Sequence, residues 1–341
     1  MVIDHELFPV SAGGTRMLPD VDVREVARLA RAMTWKFAAC RLPYAGAKAG
    51  LRSAGGDRAA LLAAYMRALE PYRDIFLTGP DMGTFPADFL DGSEDPVPLW
   101  GQSHEGLGMD DLATGHGVKA AAEAALAHLG RTLEGATVVV EGFGKVGAGT
   151  ARACARAGAR VLGVSTVEGL LVDPDGLDVE ELIALRKRHN DRFVEHGARS
   201  VLPREALFEL DCDVLVPCAR PDSITATVAE RIRCAVVAPG ANVPYGLGAV
   251  EVLHRRGILA IPDFIANSGG VHLYASVGQD AEPEVALAAI EAVVREAVAS
   301  ALATSDELGV TPWALASRDA RSYLAQTTGA PRKMLDELFA G

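Results

Sequence analysis

The sequence predicts an α/β protein with two domains, and three observations support this fold class. Short runs of β-forming residues alternate with segments in which apolar residues recur at helical spacing, a pattern typical of βαβ units around a parallel sheet. A glycine-rich turn directly follows one of these runs, and the chain becomes purely helical after residue 270. Its 341 residues suffice for two domains, each with a core of its own.

The first 90 residues predict a small α/β region. A strand and a loop are predicted up to Pro19, and Asp22 followed by Glu25 resembles a capping box at the start of an amphipathic helix. A second amphipathic helix is predicted over Ala59–Leu69. The run Ile75–Thr78 has the composition of a buried strand.

Two lysines and an aspartate are candidate functional residues in this region. Lys36 and Lys48 lie twelve residues apart among small and apolar residues, and Lys48 is predicted to lie in a Gly/Ala-rich loop, although lysines usually occupy solvated surfaces. Asp81 follows the last strand, where active-site groups often lie, although an Asp after Pro80 is also an ordinary turn former. The residues alone leave both explanations open.

The central motif is Gly142-Phe-Gly-Lys-Val-Gly147. A long loop is predicted at residues 92–111, and a helix over Thr114–His128 leads towards the motif. Four β-formers precede the first glycine, and an Ala-rich helix over Ala148–Ala157 follows the last. The three glycines suit a tight turn, close approach of a pyrophosphate and packing of helix on strand. This context predicts a Rossmann dinucleotide-binding domain.

Strands and helices continue to alternate after the motif. The predicted strands are 160–165, 213–217, 235–238 and 258–262, and the predicted helices are 179–189, 225–232 and 247–255. An apolar stripe then predicts a long helix, and Thr311 followed by Pro312 predicts the start of another. The stripe consists of Leu287, Ile290, Val294, Val298 and Leu302.

Composition argues against several classes of protein. The net charge of -12 disfavours sequence-independent binding of nucleic acid, which depends on neutralising phosphates. No uncharged apolar run approaches the ~18 residues of a membrane span, and the N-terminus shows no secretory signal. The 5 cysteines are odd in number and include no C-x-x-C, which predicts reduced thiols and a cytoplasmic location.

No histidine or cysteine spacing predicts a metal site. His189 and His196 would lie about two turns, or ~10 Å, apart even on one continuous helix. We therefore expect no metal.

Several stretches together resemble the glutamate/leucine/phenylalanine/valine dehydrogenase superfamily, and they follow the family's order along almost the whole chain. They are Gly13-Gly14-Thr-Arg-Met, Met33-Thr-Trp-Lys36 with Lys48, Pro80-Asp81-Met-Gly-Thr84, Ala113-Thr-Gly-His-Gly117, Glu141-Gly-Phe-Gly-Lys-Val-Gly147, Pro217-Cys-Ala219, Gly240-Ala-Asn242 and Pro262-Asp-Phe-Ile-Ala-Asn267-Ser-Gly-Gly-Val271. The resemblance implies oxidative deamination of an amino acid with a nicotinamide coenzyme. It also implies a homo-oligomer. A dimer is favoured, because only twelve residues precede the Gly-Gly pair and the family has several tens.

The resemblance also implies a domain organisation. An N-terminal catalytic domain would comprise residues 1–113, completed by C-terminal helices at about 305–341 that pack back across the cleft. The Rossmann domain would comprise residues 114–304.

Residue roles follow from the resemblance. Lys36 would bind the substrate α-carboxylate, assisted by Gly13, Gly14 and the Asn267 side chain. Lys48 would activate water as a general base, since a buried lysine beside another cation gives up its proton more readily. Asp81 would carry protons to the departing amine, which leaves a 2-oxo acid and ammonia.

The coenzyme is implied to be NAD or NADP. Relatives usually have Asp at the position of Thr166, where an acid holds the ribose 2′-OH of NAD, whereas hydroxyls would tolerate a 2′-phosphate and Glu168 lies two residues on. Both coenzymes therefore stay open. The implied coenzyme-binding residues are Thr114, Gly142, Phe143, Gly144, Lys145, Val146, Gly147, Ser165, Thr166, Glu168, Cys218, Ala219, Asn242 and Asn267.

Two positions predict that glutamate is a poor substrate. Glutamate-specific relatives have a lysine before the Gly-Gly pair and a serine after the Asn-x-Gly-Gly motif, and this chain has Ala12 and Tyr274 there. A buried γ-carboxylate without polar partners is costly. An apolar or aromatic amino acid is therefore expected to bind beside Tyr274.

Two other functions remain open. A non-catalytic, dinucleotide-binding regulatory homologue is suggested by Pro80 and Pro239, where relatives often have glutamate. A nicotinamide-dependent dehydrogenase of a different small acid would need a histidine–acid pair, for which His104 with Glu105, or His116, are the candidates.

Overall fold

The structure is a computed structural model that describes residues 1–90, 97–196, 201–330 and 334. The chain forms two compact units. The first comprises residues 1–102 and those from 317 onward, and the second comprises residues 103–316. The part of the predicted long loop at residues 92–96 lies outside the described residues, as does most of the chain beyond residue 330.

The first unit contains a four-stranded sheet. In chain order its elements are β1 (Val2–Ile3), β2 (Ser11–Leu18), α1 (Val23–Ala39), β3 (Ala45–Arg52), α2 (Arg58–Leu69) and β4 (Phe76–Pro80). The strands lie in the order β1-β3-β2-β4. β2 pairs in parallel with β3 and β4, and β1 pairs antiparallel to β3. The sheet therefore places β2 between the two strands that carry or precede the candidate catalytic residues.

Two predictions for this sheet are wrong. The Gly/Ala-rich stretch around Lys48 is the interior strand β3 and not a loop. A Cβ on Gly46 would lie 2.1 Å from the carbonyl oxygen of Ala30, so small residues let α1 approach the sheet closely. β4 is an edge strand rather than a buried one, with Leu77 50% exposed.

The start of α1 agrees with the sequence. Asp22 caps the helix and accepts hydrogen bonds from the backbone N–H groups of Arg24 and Glu25. Such a cap satisfies donors that the first helical turn leaves without intrahelical partners. The Glu25 carboxylate, however, pairs with Arg16 of β2.

The second unit contains a seven-stranded sheet with helices. Its elements in chain order are β5 (Ser103–His104), β6 (Leu107–Gly108), α3 (Met109–His128), β7 (Thr137–Glu141), α4 (Lys145–Arg156), β8 (Arg160–Thr166), β9 (Gly169–Val172), α5 (Val179–His189), β10 (Val201–Leu202), β11 (Val214–Pro217), α6 (Ala226–Ala229), β12 (Val236–Val237), α7 (Ala249–Arg255), β13 (Leu259–Ala260), α8 (Asp263–Ala266), α9 (Gly269–Ala275), α10 (Pro283–Leu308) and α11 (Pro312–Thr328), of which α11 continues into the first unit.

The strand order is β10-β9-β8-β7-β11-β12-β13. The five strands from β8 to β13 are parallel, as the alternation of strands and helices predicts. β9 and β10 extend the sheet in antiparallel orientation, which the sequence analysis did not anticipate. The glycine motif follows β7, the middle strand of the sheet.

The helix predicted to start at Thr114 starts at Met109 instead. Asp110 and Asp111 form its first turn, where acidic side chains interact favourably with the helix dipole. These two acids therefore belong to the helix and not to the predicted loop. The described part of that loop also contains the β5–β6 hairpin.

The C-terminal helices agree with the sequence. The apolar stripe of α10 is buried, and α11 begins at Pro312 with a hydrogen bond from Ala314 N–H to the Thr311 hydroxyl. No helix among the described residues combines the length and the apolarity that crossing a membrane requires.

His189 and His196 are much closer than expected. Their rings stack with centroids 3.8 Å apart. The helix ends at His189, and Asn190 adopts a φ of 51°, so the two histidines do not lie on one continuous helix.

Candidate active site

Lys48 and Asp81 form a buried ion pair in the first unit. The Lys48 Nζ lies 3.0 Å from Asp81 Oδ2, and the two side chains are 5% and 15% exposed. Lys48 lies in β3, and Asp81 directly follows β4. The two residues predicted to carry the chemistry are therefore in contact, although they are 33 positions apart in the chain.

Arg16 completes this cluster, and the sequence analysis missed it. Its Nε donates to the same Asp81 Oδ2 at 3.1 Å, and its Nη1 donates to the Glu25 carboxylate. Arg16 belongs to the quoted Gly-Gly-Thr-Arg-Met stretch, but no role was assigned to it. The available signal was an arginine two positions after the Gly13–Gly14 pair in the same strand, because an arginine is rarely buried without a partner.

The two cations control the protonation of Asp81. Burial by itself raises the pKa of this carboxyl, but the charges of Lys48 and Arg16, with the hydrogen bonds from both, outweigh burial and hold the pKa well below its ordinary value. Asp81 is therefore a carboxylate at every physiological pH.

The turn after Asp81 is fixed by the Thr84 side chain. The Thr84 hydroxyl accepts a hydrogen bond from Asp81 N–H at 2.8 Å and donates to Thr15 O at 2.7 Å. Gly83 adopts a φ of 77°, and a Cβ there would lie 1.9 Å from Met17 O. The backbone position of Asp81 is therefore determined by β2.

Lys36, Gly13 and Gly14 lie in the same unit. Lys36 is 6% exposed in α1, and the glycines lie in β2. A Cβ on Gly14 would lie 2.6 Å from Pro80 O and 3.0 Å from Asp81 Cβ, so this glycine lets the Asp81 turn approach β2. The substrate-binding role of these residues stays a prediction.

In the second unit, the three motif glycines have three different environments. Gly142 adopts a φ of 82° at the end of β7, and Gly144 precedes α4, with no atom within 4 Å of a Cβ placed on it. A Cβ on Gly147 would lie 2.0 Å from Gly142 O. These are the turn, the open approach and the close packing that the motif requires. The residues present therefore fit a dinucleotide pyrophosphate at the N-terminus of α4.

Two neighbouring predicted coenzyme residues support the glycine turn. Ser165 accepts a hydrogen bond from Gly142 N–H at 3.1 Å through its hydroxyl, and its carbonyl accepts one from Phe143 N–H. The Thr166 hydroxyl accepts from Glu168 N–H at 3.1 Å and donates to the carbonyl oxygen of Asp191. The hydroxyl groups of both are thus engaged within the protein, and Glu168 is exposed.

The remaining predicted coenzyme residues lie on the loops after the parallel strands. Asn267 donates from Nδ2 to Ala241 O at 2.9 Å and to Asn242 Oδ1 at 3.2 Å. A Cβ on Gly142 would lie 3.1 Å from Ala219. A Cβ on Gly240 would contact both the Cys218 sulfur and the Val146 side chain, at 2.4 and 2.8 Å. The carboxyl ends of parallel strands thus gather these residues near the glycine turn.

Two acids beside Tyr274 are a further feature missed from the sequence. Burial, together with the negative charge of Asp110, raises the pKa of Asp111 to about 8, although the charge of Lys145 opposes this. Burial and both aspartates raise the pKa of Tyr274. Thr114 lies on the next turn of α3, where its hydroxyl donates to Asp110 O. Tyr274 therefore lies near two acidic side chains, of which Asp111 holds its proton at neutral pH.

The histidines proposed for other small-acid chemistry are engaged in ion pairs. His104 Nε2 lies 3.3 Å from Glu284, and His116 Nδ1 lies 2.6 Å from Glu291. Glu105, the suggested partner of His104, pairs with Arg156 instead. The suggested pairing of His104 with Glu105 is therefore not formed, and both histidines pair with glutamates of α10 instead.

Together, these features define a two-unit α/β protein of the dinucleotide-binding class. The family described as glutamate/leucine/phenylalanine/valine dehydrogenase matches residues 106–317, and the dimerisation domain of the same family matches residues 2–89. The chain therefore belongs to the Glu/Leu/Phe/Val dehydrogenase family.

Its relatives include several glutamate dehydrogenases. The chain is 38% identical over 282 residues to the glutamate dehydrogenase of Thermotoga maritima, covering 76% of this chain and 67% of the relative. It is 33% identical to the NADP-specific glutamate dehydrogenase of Saccharolobus shibatae and 34% identical to the catabolic NAD-specific glutamate dehydrogenase RocG of Bacillus subtilis; each match covers 76% of this chain and 65% of the relative. The chain thus spans about two thirds of the length of these relatives.

A solved structure with the same fold is the hetero-hexameric glutamate dehydrogenase of Thermus thermophilus in its leucine-bound form. It is 28% identical in sequence and superposes with a TM-score of 0.79, covering 97% of this chain and 82% of the Thermus chain.

Proposed function

We propose that this protein catalyses the reversible oxidative deamination of an L-amino acid to a 2-oxo acid and ammonia with a nicotinamide coenzyme. The observation that carries this proposal is the buried pair of Lys48 and Asp81, 3.0 Å apart. A buried lysine beside an ionised carboxylate is the arrangement that proton transfer at an amine-bearing carbon needs. Family membership and the glycine turn supply the coenzyme class.

Each residue has a distinct task in the proposed reaction. A nicotinamide coenzyme, when bound, would supply the acceptor for the hydride that leaves the substrate Cα in the deaminating direction. Lys36 binds the substrate carboxylate as a compact ammonium charge. Lys48 removes a proton from the water that attacks the oxidised carbon, and Asp81 carries protons to the departing amine. The glycine turn at Gly142–Gly147 would hold the coenzyme pyrophosphate.

The proposed substrate is an apolar or aromatic amino acid. Ala12 offers no charge to a side-chain carboxylate. Asp110 and Asp111 lie close enough to Tyr274 to raise its pKa, and two acidic groups disfavour a further carboxylate there. The names of the relatives favour glutamate, so glutamate belongs in the assay as the competing substrate.

Both NAD and NADP belong to the proposal, because relatives with either specificity match the chain. The end of β8 provides Thr166 in place of an acid, which weakens the grip on a ribose 2′-OH. The carboxylate of Glu168, which lies two residues on, would repel a 2′-phosphate. Titration with each nucleotide decides between them, and a clear preference for NADP removes Glu168 from the ribose role.

We also propose a cytoplasmic oligomer that assembles through residues 2–89, the part that matches the family's dimerisation domain. The dimer expected from the sequence gains no support from the Thermus relative, whose name describes a hetero-hexamer. Light scattering after gel filtration measures the number of subunits directly.

The test of this proposal compares Lys48→Ala with the unaltered protein. A panel of amino acids, and of 2-oxo acids with ammonia, is followed at the absorbance of the reduced nicotinamide. We expect turnover of apolar or aromatic substrates and a loss of about 10²- to 10⁴-fold in kcat for Lys48→Ala, the usual contribution of a general base.

Lys119→Ala is the matched control, because Lys119 is also buried and paired, with Glu123 and Glu291, outside the proposed machinery. Its kcat per folded molecule should stay within about threefold of the unaltered protein, well below the loss expected for a general base. Coenzyme binding without turnover of any amino acid would instead establish the regulatory homologue. Faster turnover of glutamate than of every apolar amino acid would refute the substrate class.

A further inference from the structure

Arg16 has no role in the reaction as described so far, yet it shares the oxygen through which Lys48 holds Asp81. We propose that Arg16 is a positioning residue that fixes the Asp81 carboxylate through Oδ2 and leaves Oδ1 as the oxygen that exchanges protons with the substrate amine. This inference rests on the proposed function and names a further residue of the same site.

The geometry distinguishes the two carboxylate oxygens of Asp81. Lys48 Nζ and Arg16 Nε lie 3.0 and 3.1 Å from Oδ2. Within the described ranges, Oδ1 receives no hydrogen bond from the protein. A carboxylate held through one oxygen has a defined orientation, because both donors lie on elements fixed in the sheet.

Arg16 is itself held from its other side. Its Nη1 donates to Glu25 of α1, so that one guanidinium bridges two carboxylates. The side chains of Arg16 and Glu25 are 5% and 22% exposed. Glu25, Arg16, Asp81 and Lys48 form a row of alternating charges, two negative and two positive. An arginine can bridge in this way because its planar group holds five donors in a fixed arrangement over three nitrogens, whereas the three donors of a lysine share one nitrogen and rotate.

The two cations differ in what happens to them during the proposed reaction. Lys48 has to lose and regain a proton when it activates water, whereas a guanidinium stays charged throughout. The charged groups that face Asp81 are Lys48 on β3 and Arg16 on β2, with Glu25 on α1 behind Arg16. When Lys48 is neutral, Arg16 is the remaining cation that keeps Asp81 able to accept a proton.

The separate effects of Lys48 and Arg16 on the pKa of Asp81 agree with these two roles. Burial raises the pKa of Asp81, while the charges of Lys48 and then Arg16 lower it, and the lowering prevails. Removing Arg16 should therefore raise the pKa of Asp81. A role limited to packing would change stability without changing this titration.

The experiment uses Arg16→Met, Arg16→Lys and the unaltered protein. The titration of the Asp81 carboxyl is followed by carbon-13 NMR with labelled aspartate and assigned by the signal lost in Asp81→Asn. The pH dependence of kcat/KM is measured alongside. Arg152→Met is the matched control, since Arg152 is 5% exposed and pairs with Glu180 away from the proposed machinery.

We expect Arg16→Met to raise the Asp81 titration midpoint, to move the acid limb of kcat/KM to higher pH by the same amount and to lower kcat about 10- to 100-fold, the range for a lost charge-assisted hydrogen bond. Arg16→Lys should restore the acid limb but only part of kcat, because the charge returns without the bridging geometry. Arg152→Met should leave the acid limb and the Asp81 titration in place.

An Asp81 titration identical in Arg16→Met and the unaltered protein would overturn the inference. If Arg16→Met does not fold, Arg16→Gln removes the charge while keeping a polar side chain, and the same comparison applies. Because the NMR titration needs no turnover, an unaltered protein that deaminates nothing would refute the proposed function alone. A higher titration midpoint of Asp81 in Arg16→Met would still support the proposal that Arg16 positions the Asp81 carboxylate.

Discussion

At the scale of single residues, the candidate chemistry depends on keeping one buried carboxylate charged. Asp81 remains ionised because Lys48 and Arg16 both contact it, and Glu25 compensates the second cation. Breaking such a buried arrangement by removing one partner is costly, because the other charge is left without compensation. Function and stability therefore depend on the same four side chains.

The pKa of Asp111 is raised, whereas that of Asp81 is lowered, and the raised pKa predicts how stability depends on pH. Its pKa is raised to about 8 by burial and by Asp110, so the folded protein holds a proton here that the unfolded chain releases above about pH 4. The associated stability is full below that pH and is lost as the pH rises through 8. Asp111→Asn should therefore raise Tm by several degrees at pH 9 and by less at pH 5, since about 1 kcal/mol shifts Tm by roughly 2–4 °C in a unit of this size.

Thermal unfolding at the two pH values measures this effect. Asp175→Asn, which changes an exposed aspartate of the same unit, serves as the control and should leave Tm unchanged. An equal Tm for Asp111→Asn and the unaltered protein at pH 9 would contradict the assigned cause.

At the scale of structural elements, two glycines of the β7–α4 turn have different purposes. We expect Gly147 to be needed for folding and Gly144 to be needed for coenzyme binding. A Cβ on Gly147 would lie 2.0 Å from the backbone oxygen of Gly142, so Gly147→Ala should force α4 away from the turn. A Cβ on Gly144 would have no neighbour within 4 Å among the described residues apart from its own stretch of chain, so Gly144→Ala should fold normally. That methyl group would occupy the approach of a coenzyme pyrophosphate.

We therefore expect Gly147→Ala to lower Tm and to abolish coenzyme binding. Gly144→Ala should keep Tm within about 2 °C and weaken the coenzyme Kd at least about tenfold, since 1.4 kcal/mol corresponds to that factor. Calorimetric titration and thermal unfolding measure the two quantities. Wild-type affinity in Gly144→Ala would show that the pyrophosphate does not bind at this turn.

At the scale of the whole molecule, the two units correspond to the two regions that match the family. Each unit contains a carboxylate whose pKa is lowered by cations: Asp81 in the first unit, and Glu291 in the second. For Glu291, burial raises the pKa, but hydrogen bonds from His116 and Lys119 prevail and lower it to about 2. Both units thus derive stability from ionised acids.

Acid should therefore destabilise both units. A carboxyl whose folded pKa is lowered stabilises the protein above its unfolded pKa, and this contribution is lost as the pH falls through the folded value. For Glu291 the loss runs from about pH 4.5 down to about 2. The free energy of unfolding in urea, measured at pH 7, 4 and 3, should fall steadily for the unaltered protein and less steeply for Glu291→Gln.

Glu284→Gln is the control for this measurement, because Glu284 is 71% exposed in its pair with His104. Its acid dependence should match that of the unaltered protein. Parallel curves for Glu291→Gln and the unaltered protein would show that the α3–α10 ion pairs do not cause the acid sensitivity.

Much of the architecture could be predicted from local patterns. The glycine motif, the cap at Asp22 and the apolar stripe of α10 each depend on residues close in sequence, and the structure confirms all three elements. The interior strand β3 was missed because its glycines and alanines serve the close approach of α1, a demand that comes from another element. The start of α3 was misplaced because acids in a first helical turn resemble acids in a loop.

The sequence by itself determined the α/β class and the dinucleotide turn, since periodicity and glycine conformation are local properties, and its resemblance to the family marked Lys48 and Asp81 as the catalytic candidates. Only the tertiary structure decided that Arg16 joins them, because its contact depends on β2 lying between β3 and β4. It also decided the stacking of His189 on His196 and the charge around Tyr274. Electrostatic partners are set by distance in space, and distance in space follows from strand order and packing, which no single stretch of sequence encodes.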